Sequence, residues 1–487
     1  MIPFSVENIE QRLQRMPTLT IVLSLIVGII VSASVSMNWV GWLVVFCVAL
    51  ICALPIRRTI YLAIFAYGGQ SYSYHTAQRL PCNEPLQVVV EMDYKVADYG
   101  SHTAWSADVH RCNGEACRAK ILLSVDSLVV VDQGDVVEAA ITLRSIDGTK
   151  SGYSHFTLLR GYSGRGWLSE RKVESIDVRA ATTLHSRAVK RIGRLLGTDD
   201  TSAVAMSVLL GAKQHSLAPI RKAYSYSGMS HLLAVSGLHI GMVLLLLLVV
   251  LRPIVFLPRG NRMIYAVAVV LMWAYVAVCG YPASAVRAAL MLTLLNLSSF
   301  FELKHSNSNS VCLAALIMLA ADPTLLFDVG FILSFVAVIA IINFALPLCR
   351  MMAIKQWWLR LLINSMVIST VCVVATLPIV SICFGTISVL SILVTPLALI
   401  FAQLTLIYGL MMLVTPDVVA QSFVAPLRWC SDMGNAIIEG VVQWGVGFGS
   451  LSFSAVGVAV YYAVLVAVMV LFWGVKGKKR FEITNND

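Results

Sequence analysis

The chain has 487 residues, of which 58% are hydrophobic and 13% are charged, and its formal net charge is +10. Soluble domains carry about 25% charged residues, so this composition excludes an ordinary soluble protein. Several apolar windows reach the roughly 20 residues that cross a bilayer core of about 30 Å. The sequence predicts a polytopic α-helical membrane protein with about 11–12 spans and one inserted polar domain.

The first 74 residues form a predicted N-terminal transmembrane region. Its spans run over about 19–35, 39–54 and 59–74. The segment before the first span is long and acidic for a signal peptide, so we expect this span to be retained. Basic residues flank the spans at Arg12, Arg15, Arg57 and Arg58. The positive-inside rule therefore places the N-terminus in the cytoplasm and the following polar region outside it.

The polar region over 75–180 shows the short alternation that is typical of β-strands, in LQVVVEMDY, TAWSADVHR, RAKILLSV and DVVEAAITLRSI. Four or five short strands predict a small β-barrel or sandwich, and an OB-like barrel fits the length. Cys112 and Cys117 bracket the turn CNGEAC, and they would close a disulfide in an oxidising compartment. A zinc pair and free thiols are the alternatives.

A basic amphipathic segment, LHSRAVKRIGRLL, lies in a predicted interfacial region over 181–228. Its apolar side chains share one helical face, and Arg187, Lys190, Arg191 and Arg194 share the other. Such a helix usually lies on a membrane surface, and it would equally face a polyanion. From 141 to 194 there are eleven basic residues against four acidic ones. Anionic lipid head groups and nucleic acid would both match this positively charged segment at the end of the polar domain.

A second membrane region is predicted over 229–475, followed by a basic tail over 476–487. Its spans run over about 232–251, 263–279, 283–300, 310–321, 325–346, 361–384, 388–413, 430–448 and 453–473. If the β domain lies outside, the loops near Arg252 and Arg350 and the basic tail all fall in the cytoplasm. That agrees with the positive-inside rule.

The segment GMSHLLAVSGLHIGMV, at 228–243, puts polar groups at the start of an apolar run. Ser236 and His239 are three residues apart and share a helix face. Gly237 and Gly241 form a small-xxx-small pair that would let another helix approach closely. Ionisable groups in spans usually face a bundle interior or a water-filled cavity, so these residues and His231 are candidates for lining a path. The alternative is that each histidine is a satisfied structural side chain.

Two later segments, GYPASAVRAALM and DPTLLFDVGFILSF, repeat this pattern. Arg287 lies near the start of one span, and Asp328 lies at the start of another, with Gly330 and Ser334 after it. A carboxylate at this depth is costly without a partner, so we expect Arg287 and Asp328 to pair. For Arg287 the alternative is a side chain that extends to the membrane interface.

Four polar residues, Asp432, Asn435, Glu439 and Gln443, follow one helical face. This polar stripe would line a cavity or lie in the membrane interface, and we favour the interface. An acidic face is a poor wall for a polyanion, and it favours a proton- or ion-coupled small-molecule transporter as an alternative function. An intramembrane hydrolase using Ser236 and His239 is disfavoured because both residues lie on one helix.

The segment LLGAKQHSLAPIRKAYSYSGMSHLLAVSGLHIGMV, with HLLAVSGLH at its centre, resembles the ComEC competence-protein family. GYPASAVRAALM and DPTLLFDVGFILSF resemble its next two landmarks, although Ile332 stands where members often have glutamine. The resemblance covers about 209–413, and FTLLRGYSGRGWL resembles the end of an OB-like module. Many members continue into a metallo-β-lactamase-like domain. No HxHxDH pattern occurs here, so we expect a form without that domain and without catalytic residues, metal or cofactor.

The resemblance implies an inner-membrane channel that passes one DNA strand from the periplasm to the cytoplasm during natural transformation. Its path would use the polar residues of the three landmarks. Basic and aromatic side chains guide single strands in OB-type modules, and Arg144, Arg160, Arg165 and Trp167 join the interfacial helix as DNA-binding candidates. The expected partners are single-stranded DNA, membrane lipids and a periplasmic DNA receptor. The sequence has no Walker A pattern, so a separate cytoplasmic motor or single-strand-binding proteins would drive transport.

Overall fold

The computed structural model describes most of the chain, and every structural statement below concerns the described residues. These are 17–34, 60–76, 80–98, 101–129, 131, 134–146, 157–177, 184–197, 199–212, 220, 223–224, 227–256, 259–300, 307–352, 354–384, 387–388, 391–443, 448–449, 457–458, 460–462 and 464–465. The architecture is mostly helical, with one sheet domain inserted between the second and third helices.

The longer helices carry the hydrophobic segments. The described helices are α1 (Pro17–Ser34), α2 (Ile60–Thr76), α3 (Leu184–Leu196), α4 (Asp200–Leu210), α5 (Gly237–Val250), α6 (Gly260–Val278), α7 (Ala283–Phe300), α8 (Asn307–Ala321), α9 (Val329–Ala340), α10 (Leu346–Met351), α11 (Trp357–Phe384), α12 (Ser391–Val414), α13 (Asp417–Ala420) and α14 (Val424–Gln443). A π turn over Ile341–Ala345 joins α9 to α10.

Three helical stretches are long and apolar enough to cross a membrane, and six shorter apolar helices have 10–17 residues. The long stretches are Val329–Met351, Trp357–Cys383 and Val394–Val414. They support the transmembrane character of the chain, but in the described residues the predicted number of about 11–12 long spans is not confirmed. Local breaks shorten the others: Gly280 and Tyr281 adopt positive φ between α6 and α7. The predicted span over 39–54 and the tail over 476–487 lie outside the described residues.

The sheet domain has six strands in the order β5-β3-β2-β1-β4-β6. The strands are β1 (Pro85–Asp98), β2 (His102–Cys112), β3 (Glu115–Asp126), β4 (Val136–Thr142), β5 (Tyr162–Leu168) and β6 (Val173–Asp177). Strands β1, β2 and β3 form antiparallel hairpins, β4 is antiparallel to β1, and β3 and β5 are parallel. Alternate side chains, such as Val88, Val90 and Met92 on β1, are buried in a core of their own, as the pleat of a strand requires.

The predicted OB-like barrel is not confirmed, because the six-stranded sheet is open, with β5 and β6 as its edges. A closed barrel needs a continuous ladder between its first and last strands. Beyond the end of β4, one isolated antiparallel bridge connects Arg144 with Arg165 of β5, with both N···O distances at 2.8 Å. The backbone therefore returns from β4 to β5 at a single point rather than along a ladder.

The predicted disulfide is not formed, since Cys112 and Cys117 are both free thiols in the structure. The β2–β3 register sets Cys112 opposite Glu115, so Cys117 lies diagonally across the hairpin. Diagonal neighbours are about 7–8 Å apart, whereas the Cα atoms of a disulfide are usually about 4.4–6.8 Å apart. Burial raises the pKa of the Cys112 thiol and of the Cys117 thiol, which keeps both in the unreactive protonated form.

Helices α1 and α2 pack so closely that their backbones approach each other at two glycines. A Cβ atom added to Gly28 would lie 1.9 Å from the carbonyl oxygen of Phe65, and one added to Gly68 would lie 2.6 Å from that of Leu25. Only glycine leaves room for this contact, as at other helix crossings lined by small residues. Ser32 and Ser73 add a hydroxyl–hydroxyl bond of 2.7 Å across the same interface.

Candidate functional site

The polar residues that open α5 form a helix cap. Ser236 is the N-cap residue, and its Oγ accepts a hydrogen bond from the His239 backbone N–H at 3.4 Å. The Ser236 backbone N–H donates in return to His239 Nδ1 at 3.1 Å. This reciprocal pair is a capping box, in which two otherwise unpaired donors of the first helical turn are satisfied. The serine and the first histidine nitrogen are thus occupied by the start of α5.

The other side of the His239 ring has a different environment. Because Nδ1 accepts a hydrogen bond, the neutral ring carries its proton on Nε2. Nε2 is buried, and among the described residues it has no hydrogen-bond partner. His231 lies two residues before Leu233, at the start of the same motif, and its side chain is exposed. The motif therefore buries one histidine ring and leaves the other accessible to solvent.

The two glycines of the motif behave differently from the prediction. A Cβ atom on Gly237 would lie 3.4 Å from the Cβ of Ala288 on α7, which is an ordinary packing contact. A Cβ atom on Gly241 would meet nothing within 4 Å among the described atoms. The predicted small-xxx-small crossing is therefore wrong at Gly241, where no described helix approaches.

The first two turns of α7 connect the opening motif to the second landmark. Ser284 Oγ donates to the carbonyl oxygen of Val235 at 2.6 Å, immediately before the α5 cap. Ala288 touches Gly237, and Arg287 lies between these two contacts along the chain. The opening motif and the second landmark, which lie 49 residues apart in the sequence at this contact, are thus brought together at one end of α7.

Arg287, Asp328 and Arg160 form an ion cluster at this end of the helices. Asp328 Oδ2 lies 2.7 Å from Arg160 Nη1, and its Oδ1 lies 3.6 Å from Arg287 Nη1. The predicted Arg287–Asp328 pair is therefore present. All three side chains are largely buried, with 7% exposure for Arg287, 15% for Arg160 and 19% for Asp328.

Asp328 also begins α9. Its Oδ1 accepts a hydrogen bond from the Phe331 backbone N–H at 2.7 Å, as an N-cap carboxylate does. Gly330 fits between the charged groups, because an added Cβ would lie 3.0 Å from Asp328 Oδ1 and 3.2 Å from Arg287 Nη2. Ser334 does not join the cluster, since its hydroxyl donates locally to the Phe331 carbonyl.

Arg160 carries the cluster to the sheet domain. It directly precedes β5, and its guanidinium lies over the Tyr162 ring at 5.6 Å. The neighbouring Leu159 carbonyl accepts a hydrogen bond of 2.7 Å from Tyr72 of α2. One carboxylate and two guanidinium groups therefore meet where the sheet domain contacts the helices. Arg160, a DNA-binding candidate by sequence, is thus part of this junction.

Three other DNA-binding candidates form an exposed strip on the sheet domain. Arg144 and Arg165 face each other across the isolated bridge, and both are exposed. Trp167 lies two residues further along β5, on the same face as Arg165, and is 45% exposed. Its ring contacts that of His102, with the centroids 5.0 Å apart. An aromatic surface beside two cations is the combination that single-strand binders use.

The basic helix α3 packs its apolar face against the helical core, where Ala188, Ile192 and Leu196 are buried. Arg187, Lys190 and Arg194 are exposed on the other face. Arg191 has a structural role instead. It donates to the Leu413 carbonyl at 2.8 Å and to the Asp417 carboxylate at 3.0 Å, which satisfies acceptors at the end of α12.

The polar stripe lies on α14, whose opposite face is buried at Leu427, Ile438 and Val441. Asp432 accepts a hydrogen bond from the Thr201 hydroxyl at 2.5 Å, and Asn435 accepts one from Tyr224 at 2.9 Å. Glu439 and Gln443 are exposed. Half of the stripe therefore holds α14 against its neighbours. Across the described residues, no three histidine, cysteine, aspartate or glutamate side chains are grouped to hold a metal ion.

The part of the chain that matches known proteins includes the α5 cap and the helices α7 and α9, which carry Arg287 and Asp328. Residues 208–476, more than half of the chain, match the family model described as "Competence protein". The protein "ComE operon protein 3" from Bacillus subtilis (strain 168) is 27% identical over 137 residues. That alignment covers 28% of this chain and 17% of the relative, so the chain matches only a small part of the relative's length. No solved structure matches.

Proposed function

The chain belongs to the competence protein family, and we propose that it takes part in DNA uptake for competence as an inner-membrane channel for single-stranded DNA. In this proposal the sheet domain lies in the periplasm and receives the strand. The apolar helices cross the inner membrane several times and carry the strand to the cytoplasm, where both termini lie.

The ion cluster of Arg160, Asp328 and Arg287 is the observation that carries this proposal. It couples the sheet domain directly to the helices at the end where the family motifs converge. Its two guanidinium groups are of the type that contacts phosphates, and each phosphate of a single strand that passes from one domain to the other carries a negative charge. Asp328 forms ion pairs with two arginines at this junction, a structural role that the transporter alternative does not require.

The exposed strip of Arg144, Arg165 and Trp167 supplies the first contact with the strand in this proposal. Stacking of a base on an exposed aromatic ring needs no sequence preference, and nearby cations follow the backbone. A periplasmic DNA receptor would deliver the strand, and a cytoplasmic motor or single-strand-binding proteins would draw it inward.

Uptake of labelled DNA by the native host tests the channel. Donor duplex is labelled in one strand at a time, and internalised label is measured after removal of external DNA with nuclease. Deletion of the gene is expected to leave label bound outside and to abolish internal single strands, and the wild-type gene restores them. Normal internalisation by the deletion strain would overturn the proposal.

Binding of a fluorescent oligo-dT to the purified full chain tests the strip. Base–aromatic stacking contributes about 1–3 kcal/mol, so Trp167→Ala is expected to weaken binding about 5- to 150-fold. Arg165→Gln should reduce the salt dependence of log K by about 0.7. Leu128→Ala is the matched control, because Leu128 is 72% exposed on the same domain and has no basic neighbour across a bridge. Equal losses in Trp167→Ala and Leu128→Ala would contradict the strip's role.

A further inference from the structure

A cavity lies at the connection between α10 and α11, where two of the long apolar stretches meet. It has a volume of about 570 Å³ and is open to the surface, and this volume lies within the roughly 300–1,000 Å³ range of small-molecule sites. Its polar lining comes from Arg350, Arg360 and Asn364, and its apolar lining includes Leu346 and Met352. We propose that this cavity binds the head group of an anionic phospholipid.

The charge of the cavity favours the binding of an external anion. Arg350 and Arg360 are both exposed, and neither forms an ion pair with any described carboxylate. From residue 329 to residue 416 the sequence contains no aspartate or glutamate at all. Two arginines beside each other repel unless an anion lies between them, and the planar guanidinium group matches the oxygens of a phosphodiester.

The surroundings of the cavity favour a lipid over a soluble phosphate or DNA. Trp357 and Trp358 begin α11, two to three residues before the lining residue Arg360, and are 73% and 55% exposed. Leu361, one turn further along, is 64% exposed. Tryptophans in such positions lie at the head-group level of a bilayer, and apolar side chains beyond them face the acyl chains. Basic pockets between membrane helices bind anionic head groups in the same setting.

Two local features point to a hydroxyl-bearing head group. Asn364 lines the cavity, and its buried Oδ1 has no hydrogen-bond partner in the described part of the chain. A carbonyl oxygen of this kind accepts a hydroxyl proton, which the glycerol of phosphatidylglycerol would donate. The π turn over Ile341–Ala345 directly precedes Leu346 of the lining, and such turns recur at binding sites. The site therefore fits a phosphodiester flanked by a hydroxyl.

Native mass spectrometry of the purified full chain in detergent tests this assignment. The protein is titrated with dioleoylphosphatidylglycerol or with dioleoylphosphatidylcholine, which shares the acyl chains but not the net charge. We expect preferential binding of phosphatidylglycerol to the wild type, and Arg350→Gln/Arg360→Gln should reduce this preference about tenfold or more. Arg350→Lys/Arg360→Lys should retain part of it, because the charge remains.

The matched control is Arg252→Gln/Arg259→Gln, which removes two exposed arginines near α6 that line no part of this cavity. Far-UV circular dichroism and gel filtration establish that each variant is folded. An equal fall in the control, or an unchanged preference in the Arg350/Arg360 variant, would overturn the proposal. Parallel titrations use oligo-dT and inorganic phosphate. Loss of either of these ligands in the Arg350/Arg360 variant, with phosphatidylglycerol binding unchanged, would assign the cavity to nucleic acid or to free phosphate instead.

Discussion

Replacing Asp328 by asparagine removes the one negative charge of the ion cluster and leaves the helix cap in place. Asparagine is as good an N-cap residue as aspartate, so α9 should still begin at the same position. Arg160 and Arg287 would then face each other without the carboxylate that lies 2.7 Å and 3.6 Å from their Nη1 atoms. The variant separates the electrostatic role of Asp328 from its capping role.

The expected loss follows from the burial of the cluster. Removing one partner of a buried ion pair costs about 3–5 kcal/mol, because the remaining charge is left without compensation. The side chains keep 7–19% exposure, so partial hydration places the loss near the lower end, at about 3 kcal/mol. Asp328→Ala should lose about 1 kcal/mol more, since it also removes the cap. Arg160→Gln should recover part of the Asp328→Asn loss by removing one of the two like charges that meet there.

The measurement is the free energy of unfolding of the full chain in mixed micelles, titrated with sodium dodecyl sulfate and followed by circular dichroism. Asp322→Asn is the matched control. Asp322 caps the turn before α9 through Thr324 and forms no ion pair among the described residues, so its change should stay within about 0.5 kcal/mol. Equal effects of Asp328→Asn and Asp322→Asn, or no recovery with Arg160→Gln, would refute the electrostatic argument.

Three further predictions test the packing, the cap and the sheet domain. Gly28→Ala should separate α1 from α2 and lower the thermal stability of the full chain, because the new Cβ would lie 1.9 Å from the Phe65 carbonyl oxygen. Gly241→Ala should be neutral or stabilising, because its Cβ meets nothing within 4 Å among the described atoms. Similar melting temperatures of the two variants would contradict this prediction. Ser236→Ala should cost about 1 kcal/mol in the same unfolding assay and Ser236→Thr less, because threonine still caps, and equal losses would exclude a capping role. Burial, aided by a neighbouring carboxylate, raises the pKa of Asp93 in the folded protein. Its ionised form therefore opposes folding above that raised pKa, and this cost disappears as the pH falls to 3.8, the pKa of an unperturbed aspartate. Asp93→Asn should therefore slow hydrogen exchange of the β1 amides at pH 7 but not below pH 3.8, and a slowing of equal size at both would refute the assignment.

Local patterns in the sequence were sufficient for β1, β2, β3 and β4 of the sheet domain and for α3, but not for β5 and β6, which lie outside the four alternating segments. The alternating segments at 86–94, 103–111 and 118–125 lie within β1, β2 and β3. The basic amphipathic segment coincides with α3, from Leu184 to Leu196. A strand buries every second side chain, and an amphipathic helix buries every third or fourth one. Both periodicities appear in the local sequence, so they can be recognised without knowledge of the tertiary structure.

The site was only partly predictable. Arg287 and Asp328 carried a visible signal, because charges at the start of apolar segments need a partner. The partner role of Arg160 had no signal, since it lies 168 residues from Asp328 along the chain, in another domain. The cap at Ser236 was missed because histidine replaces the usual acidic residue of a capping box, although the serine and its spacing were visible.

The sequence by itself determined that this is a membrane protein of the competence family with a β domain between apolar segments. Composition and the order of the motifs suffice for these conclusions, because hydrophobicity and the alternation of strand residues can be read from short segments of sequence. Only the tertiary structure decided that the sheet is open, that Cys112 and Cys117 stay diagonal, and that Arg160 closes an ion cluster with Asp328 and Arg287. Those outcomes depend on register and on the approach of distant segments, which are set by packing across the whole chain rather than by any local pattern.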